Sequence, residues 1–231
     1  SGLSASFGDI LSRKDMKVLH KAYRDFEFSY YGLITIVYSV ALILIMPFVR
    51  IYTSDIVDAN YNQPIIGILF ILNAYLYNIK TPQGMMVISA GHYKETQMQS
   101  TIQALCIIIP GIILVPQIGI AGVLIALIIS NIYRDIDLLF YIPHKVTQLP
   151  VMETFLRIVR SVIAMVITVI PAGFIFKMEM SGYIEWFLYA IAVLIYSTIV
   201  WIVVSFVSDR KQLFSVVGRI KNMINSKLKR V

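Results

Sequence analysis

Between Tyr31 and Val49 the chain runs nineteen residues without a charged side chain. A bilayer core about 30 Å thick takes about 20 helical residues to cross, and lipid offers an open backbone no hydrogen-bonding partner. Such a run therefore folds as a membrane helix. Further apolar runs follow at about Ile65–Val87, Ile102–Val115, Gly119–Tyr141, Phe155–Phe176 and Tyr183–Phe206. The pattern predicts an all-α fold, a polytopic transmembrane helix bundle of about six spans. Composition agrees, because only 14% of the 231 residues are charged and 58% are hydrophobic, against about 25% charged in a soluble domain.

The net charge of +7 lies between the spans, not along one face, which argues against a nucleic-acid partner. One set of alternate connections holds Arg13, Lys14, Lys17, Lys21, Arg24, Lys80, Lys94, Arg134, Lys145, Arg157, Arg160 and the seven Lys and Arg of the tail. The opposite side has only Arg50 and Lys177, so the division is eighteen against two. The positive-inside rule then places both ends in the cytoplasm. Three parts follow: an amphipathic cytoplasmic connecting helix over 1–30, the six-span bundle over 31–206, and a basic cytoplasmic tail helix over 207–231. In the first, Ser12 and Asp15 read as a helix start with Leu11 and Met16 as its hydrophobic staple. In the last, Leu213, Val216, Val217, Ile220, Met223, Ile224 and Leu228 recur at helical spacing, as in a helix lying on anionic membrane lipid. The opening is polar and carries no leader-like apolar run, and it reads like the middle of a longer protein.

Inside the second run sits a polar knot, Asn78-Ile79-Lys80-Thr81-Pro82-Gln83-Gly84. Pro82 lacks a backbone donor and disfavours a helical residue before it, so the span should kink or open near Thr81. Interrupted spans are where transporters place binding sites. A second reading makes residues 65–79 a short span, with Lys80 marking the cytoplasmic boundary and reaching for headgroups. Asn73, Tyr77, Lys80 and Gly84 share one helix face, and Ser130, Asn131, Arg134, Asp137 and Tyr141 share another on the fourth run. Lys80 and Arg134 each fall sixteen residues after the outer boundary residues Pro64 and Ile118, or about 24 Å down at helical rise. Two polar stripes at one depth should face each other or a wet cavity.

Lys80, Arg134, Asn73, Tyr77, Asn131 and Asp137 are accordingly the candidate substrate-binding residues. Cations grip phosphate and amides bond sugar hydroxyls, so the set suits an anionic, hydroxyl-rich ligand such as a lipid-linked sugar pyrophosphate. In the competing reading Asp137 and Asp135 neutralise Arg134 and seal a helix end. Glu185, Lys177 and Glu179 cluster at the outer boundary as solvated charges. Cys106 stands alone, and His20, His92 and His144 lack ligand spacing, so neither a disulfide, a metal nor a cofactor is expected. No Gly-rich phosphate loop, HExxH or GxSxG is present, and no enzyme constellation emerges.

Gly91-His92-Tyr93-Lys94-Glu95-Thr96-Gln97 after a Pro-containing span, then Gly119-Ile120-Ala121-Gly122-Val123 opening a span that ends near Tyr133-Arg134, resembles the Wzx-type polysaccharide flippases. These belong to the multidrug/oligosaccharidyl-lipid/polysaccharide exporter superfamily. The Arg13-Lys14-Asp15 opening and the Asp209-Arg210-Lys211 tail are also similar to that family. The resemblance implies the last six of about fourteen spans of a bacterial inner-membrane protein that moves undecaprenyl-pyrophosphate-linked repeat units across by alternating access. It implies as partners a lipid-linked oligosaccharide, the remaining upstream part of the flippase, a polysaccharide polymerase and glycosyltransferases. Two other functions stay open. A cation-coupled multidrug exporter of the same superfamily would need deep carboxylates, and a non-transporting membrane protein of polysaccharide assembly would turn its polar stripes to lipid.

Overall fold

The structure, a computed structural model, describes all residues except Ser1, Val57, residues 176–179, Ser181 and residues 229–231, and its description of side chains ends at Arg219. The expected cluster at Lys177 and Glu179, and the tail positions Ile220, Met223, Ile224 and Leu228, lie outside the described residues and side chains.

The described residues are helical almost throughout: α1 (Gly2–Ser12), α2 (Met16–Tyr52), α3 (Pro64–Ile79), α4 (Thr81–Ala90), α5 (Gln97–Ile118), α6 (Ile120–Ile142), α7 (Val151–Ile175), α8 (Tyr183–Ser208) and α9 (Arg210–Leu228). A π-helical turn, Pro143–Thr147, links α6 to α7. Among the described residues, five helical stretches are long and apolar enough to cross a membrane: α2, α3 with α4, α5, α7 and α8. The protein is a multi-pass, all-α transmembrane bundle. α6 matches these stretches in length with 23 residues, but any eighteen-residue stretch of it contains Arg134, Asp135 and Asp137.

α2 is the axis of the bundle, packing on α3, α7 and α8 along its length and on α1 and α9 near its start. With 37 residues it extends about 55 Å, far beyond a bilayer core. The connecting helix and the first span are thus one continuous helix, with no boundary at residue 30. Its N-cap is Asp15, whose Oδ1 accepts the Val18 amide at 3.1 Å. Ser12 instead closes α1, and Lys14 turns the chain with φ +56°. The helix start therefore lies three residues after Ser12, because residues 2–12 form a helix of their own. That helix buries Phe7 against Leu19, Tyr23, Met86 and Leu138. A middle core joins Tyr31, Ile34, Tyr75, Ile79 and Met165, and the far end packs Ile43, Leu44, Ala172 and Val193. At lipid depth such contacts hold helices by fit, since lipid tails are as apolar as leucine.

α5 and α6 form a hairpin turned by one residue, Gly119, at φ +57°, ψ −131°, a region open essentially to glycine alone. Gly122 then brings the two helices together: a Cβ there would stand 2.6 Å from the Leu114 carbonyl carbon and 2.8 Å from its oxygen. None of α5 is buried, and it packs chiefly on α6. Gly122→Ala should therefore push α6 off α5 and lower the stability of the purified protein by about 1–3 kcal/mol. Gly111→Ala, where a Cβ meets nothing within 4 Å, should be neutral or stabilising in the same thermal-unfolding assay. Equal effects of the two substitutions would contradict the close approach.

Candidate functional site

The second apolar run does break, at Lys80, one residue before Thr81. Lys80 has φ −75° and ψ −5°, and α4 restarts at Thr81 with Pro82 in its first turn, where a missing donor costs nothing. α2 holds this break from one side. Tyr31 donates to the Ile79 carbonyl at 3.3 Å. Asn78 accepts from Tyr30 at 2.8 Å and donates to Tyr38 at 2.7 Å. The Ile79 carbonyl thus accepts from a phenol, and the polar amide of Asn78 faces protein.

Lys80 leaves from the other side, toward α6. Its ammonium donates to Asn131 Oδ1 and lies 4.6 Å from the centre of the Tyr77 ring. Asn131 in turn donates to Asn73 Oδ1 at 2.9 Å. Three residues from two separate runs, Asn73, Lys80 and Asn131, therefore form one hydrogen-bonded chain, with Tyr77 beneath the cation. Lys80, Tyr77 and Arg134 line a single open cavity of about 370 Å³, whose other polar walls are Thr81, Tyr93, Thr96, Ser100 and Gln103. Arg134 is bound to Asp137 at 2.8 Å, as the neutralised reading expects, yet it still borders the cavity. Asp137 is not among the residues that line the cavity and meets it only through that pair. The rest of the α6 stripe divides: Ser130 donates to the Gln103 carbonyl of α5, and Tyr141 meets His92 Nδ1 at 3.0 Å.

Asp135, one residue from Arg134, is the group whose environment the sequence did not reveal. Both of its oxygens are enclosed and have no hydrogen-bond partner among the described residues, and it is near enough to Lys80 for the two charges to interact. A second cavity, of about 360 Å³, lies near the far ends of α2 and α3 and is walled mostly by Ile45, Met46, Val49, Ile66 and Phe70. It offers no comparable set of converging cations.

Behind the break lies a buried polar network that sequence periodicity missed. Glu27, fully buried, accepts from Arg157, from Thr154 at 2.9 Å and from Tyr23 at 3.2 Å. Gln83, in α4, bridges Glu27 at 3.4 Å to the Tyr31 hydroxyl at 2.7 Å. Tyr75 and Thr35 both bond Ser161. On the sequence alone Glu27 belonged to a charged amphipathic face, and only its position one turn before Tyr31 hinted otherwise. Arg24 forks onto Glu153 with two bonds of 2.8 Å, so α2 and α7 are joined by alternating charges at this end.

Removing one member of a buried pair leaves the other charge uncompensated, which costs about 3–5 kcal/mol. Glu27→Gln should destabilise the protein by about that amount in detergent unfolding, while Glu27→Leu with Arg157→Met should recover most of the loss. A Glu27→Gln protein as stable as the parent would contradict the buried pairing. Set against known protein families, curated proteins and solved structures, the chain matches none of them.

Proposed function

We propose that the protein is the C-terminal portion of a flippase for a lipid-linked oligosaccharide, resident in the bacterial inner membrane with both termini cytoplasmic. The cavity beside the helix break receives the anionic headgroup. One observation carries this reading: Lys80 and Arg134, from two different apolar runs, border the same cavity of about 370 Å³ among hydroxyl and amide side chains. Ligand pockets commonly span about 300–1,000 Å³, and the pairing of cations with hydroxyl and amide groups suits a pyrophosphate joined to a sugar. Lys80 supplies a compact charge backed by Asn131 and the Tyr77 face. Arg134, whose Nη1 bonds Asp137, keeps its other guanidinium edge for an oxygen acceptor.

The interrupted helix adds support, because backbone without regular hydrogen bonding is tolerated at membrane depth only beside protein or a water-filled cavity. The likeness of the Gly91–Gln97 turn and the Gly119–Val123 opening to Wzx-type flippases points the same way. The carrier lipid, undecaprenyl pyrophosphate, and the partners that make and polymerise the repeat unit rest on that likeness.

Asp135 favours a second reading, a cation-coupled multidrug exporter of the same superfamily. Such an exporter needs a carboxylate inside the membrane, and Asp135, enclosed with neither oxygen hydrogen-bonded among the described residues, is the acid that would serve it. Sequence pattern offered no central acid, so this residue strengthens the alternative.

Lys80→Gln and Arg134→Gln are each expected to abolish surface polysaccharide in cells that rely on this protein as part of the full-length flippase, with membrane levels unchanged. Unaltered polysaccharide in both variants would reject the headgroup role. Loss of drug resistance with intact polysaccharide in Asp135→Asn would favour the exporter.

A further inference from the structure

Along the described part of the tail helix the protein engages the polar side as well. Its polar residues Gln212, Ser215 and Arg219 turn inward onto a single buried carboxylate, Asp25 of α2, at 2.5, 3.2 and 2.6 Å. Leu213 is buried beside them. The elbow between α8 and α9 is fixed as well: Arg160 binds Asp209 at 2.9 Å and donates to the Ser208 carbonyl at 3.3 Å. Asp209 accepts the Gln212 amide at 3.3 Å. With the inward face committed, rotation of α9 about its axis is set.

That orientation sends Arg210, Phe214 and Val217 outward, on the side where Phe206 and Val207 end the membrane-crossing helix α8. Phe206 and Phe214 face each other edge-on at 6.4 Å. The Arg210 guanidinium lies 4.8 Å from the first ring and 5.5 Å from the second. No ion pair engages Arg210 among the described residues. Lys211 is exposed next to it, and the sequence of α9 contains no acid.

We propose that this outward face of the α8–α9 elbow is a headgroup site for an anionic phospholipid, with the phosphate on Arg210 and Lys211 and the acyl boundary on Phe206, Phe214 and Val217. The position follows from connectivity, since one residue, Asp209, separates a crossing helix from Arg210. The chemistry follows from the stack. A guanidinium lying over two aromatic rings is held in place by them and keeps N–H donors for oxygen acceptors. Apolar side chains beside cations at the end of a span match the headgroup layer, where both are satisfied at once. Asp25 is a positioning residue here: it takes the polar side of α9 and keeps Arg210 off the protein interior. The site is far in sequence from the Lys80 cavity and does not depend on what that cavity carries.

The test reads the lipid beside the elbow directly. Phe214→Trp, in a background carrying Trp186→Phe and Trp201→Phe, provides one fluorophore in the stack. The protein is reconstituted in mixtures of phosphatidylcholine and phosphatidylglycerol, in which one or the other has brominated chains. A single surface cation is worth about a fivefold preference, so phosphatidylglycerol should quench at least several-fold more effectively than its mole fraction dictates, and less so at high salt. Arg210→Gln with Lys211→Gln should bring the preference to near one. A preference near one before that substitution, or an unchanged preference after it, overturns the site. Should the tryptophan background fail to fold, native mass spectrometry of the unsubstituted protein gives the same decision: more phosphatidylglycerol retained than by Arg210→Gln/Lys211→Gln supports the site, and equal retention rejects it.

Discussion

Polar groups set within an apolar run must find their partners within the protein, and at the α3–α4 break that requirement ties the broken helix to α2. Pro82 cannot donate, the helix opens at Lys80, and the tyrosines of α2 answer from one side. Tyr31 takes the Ile79 carbonyl, while Tyr30 and Tyr38 hold the side chain of Asn78. An unsatisfied group at such a place costs several kcal/mol, which is more than most single contacts return. The broken helix is therefore pinned to α2 at the residue where it is weakest.

Pinning one side determines what the other side can do. With Asn78 and Ile79 held by α2, Lys80 projects away from it toward α6 and reaches Asn131. The α5–α6 hairpin, turned at Gly119 and drawn together at Gly122, carries Asn131 and Arg134 on one helix beside that lysine. The Gln83 link to Glu27 and the Glu27–Arg157 pair lock α4 and α7 to α2 behind the break. Lys80 and Arg134 thus border the cavity on one side of the break, with Asp137 paired to Arg134, while on the other side Glu27 and Arg157 pair within the protein.

Much of this was legible in the sequence. The apolar runs gave the helices, Pro82 gave the break to within one residue, and helical spacing put Asn73, Tyr77 and Lys80 on the face that meets Asn131. What pattern could not supply was pairing across long separations. Glu27 and Arg157 are 130 residues apart, and each alone looks like an ordinary boundary charge. The same holds for Asp25, which looks solvated until α9 folds back on it. The join of the connecting helix to the first span was missed for a related reason: the charges of residues 16–28 suggested a surface helix, yet Asp25 and Glu27 among them are buried against α9 and α7. In the sequence Asp135 reads only as a neutraliser of Arg134, and its enclosure depends on packing that only the fold provides.

The central claim is that Lys80 and Arg134 border a water-filled cavity and not lipid. Cysteine accessibility tests it most directly. With Cys106→Ser removing the native thiol, Lys80→Cys, Ser100→Cys and Arg134→Cys are treated in bilayers with a charged, membrane-impermeant thiol reagent, and Ile112→Cys on the outer face of α5 serves as the lipid-facing reference. The account expects the three cavity positions to react quickly and Ile112→Cys to stay unmodified. Cavity positions as inert as Ile112→Cys would contradict it.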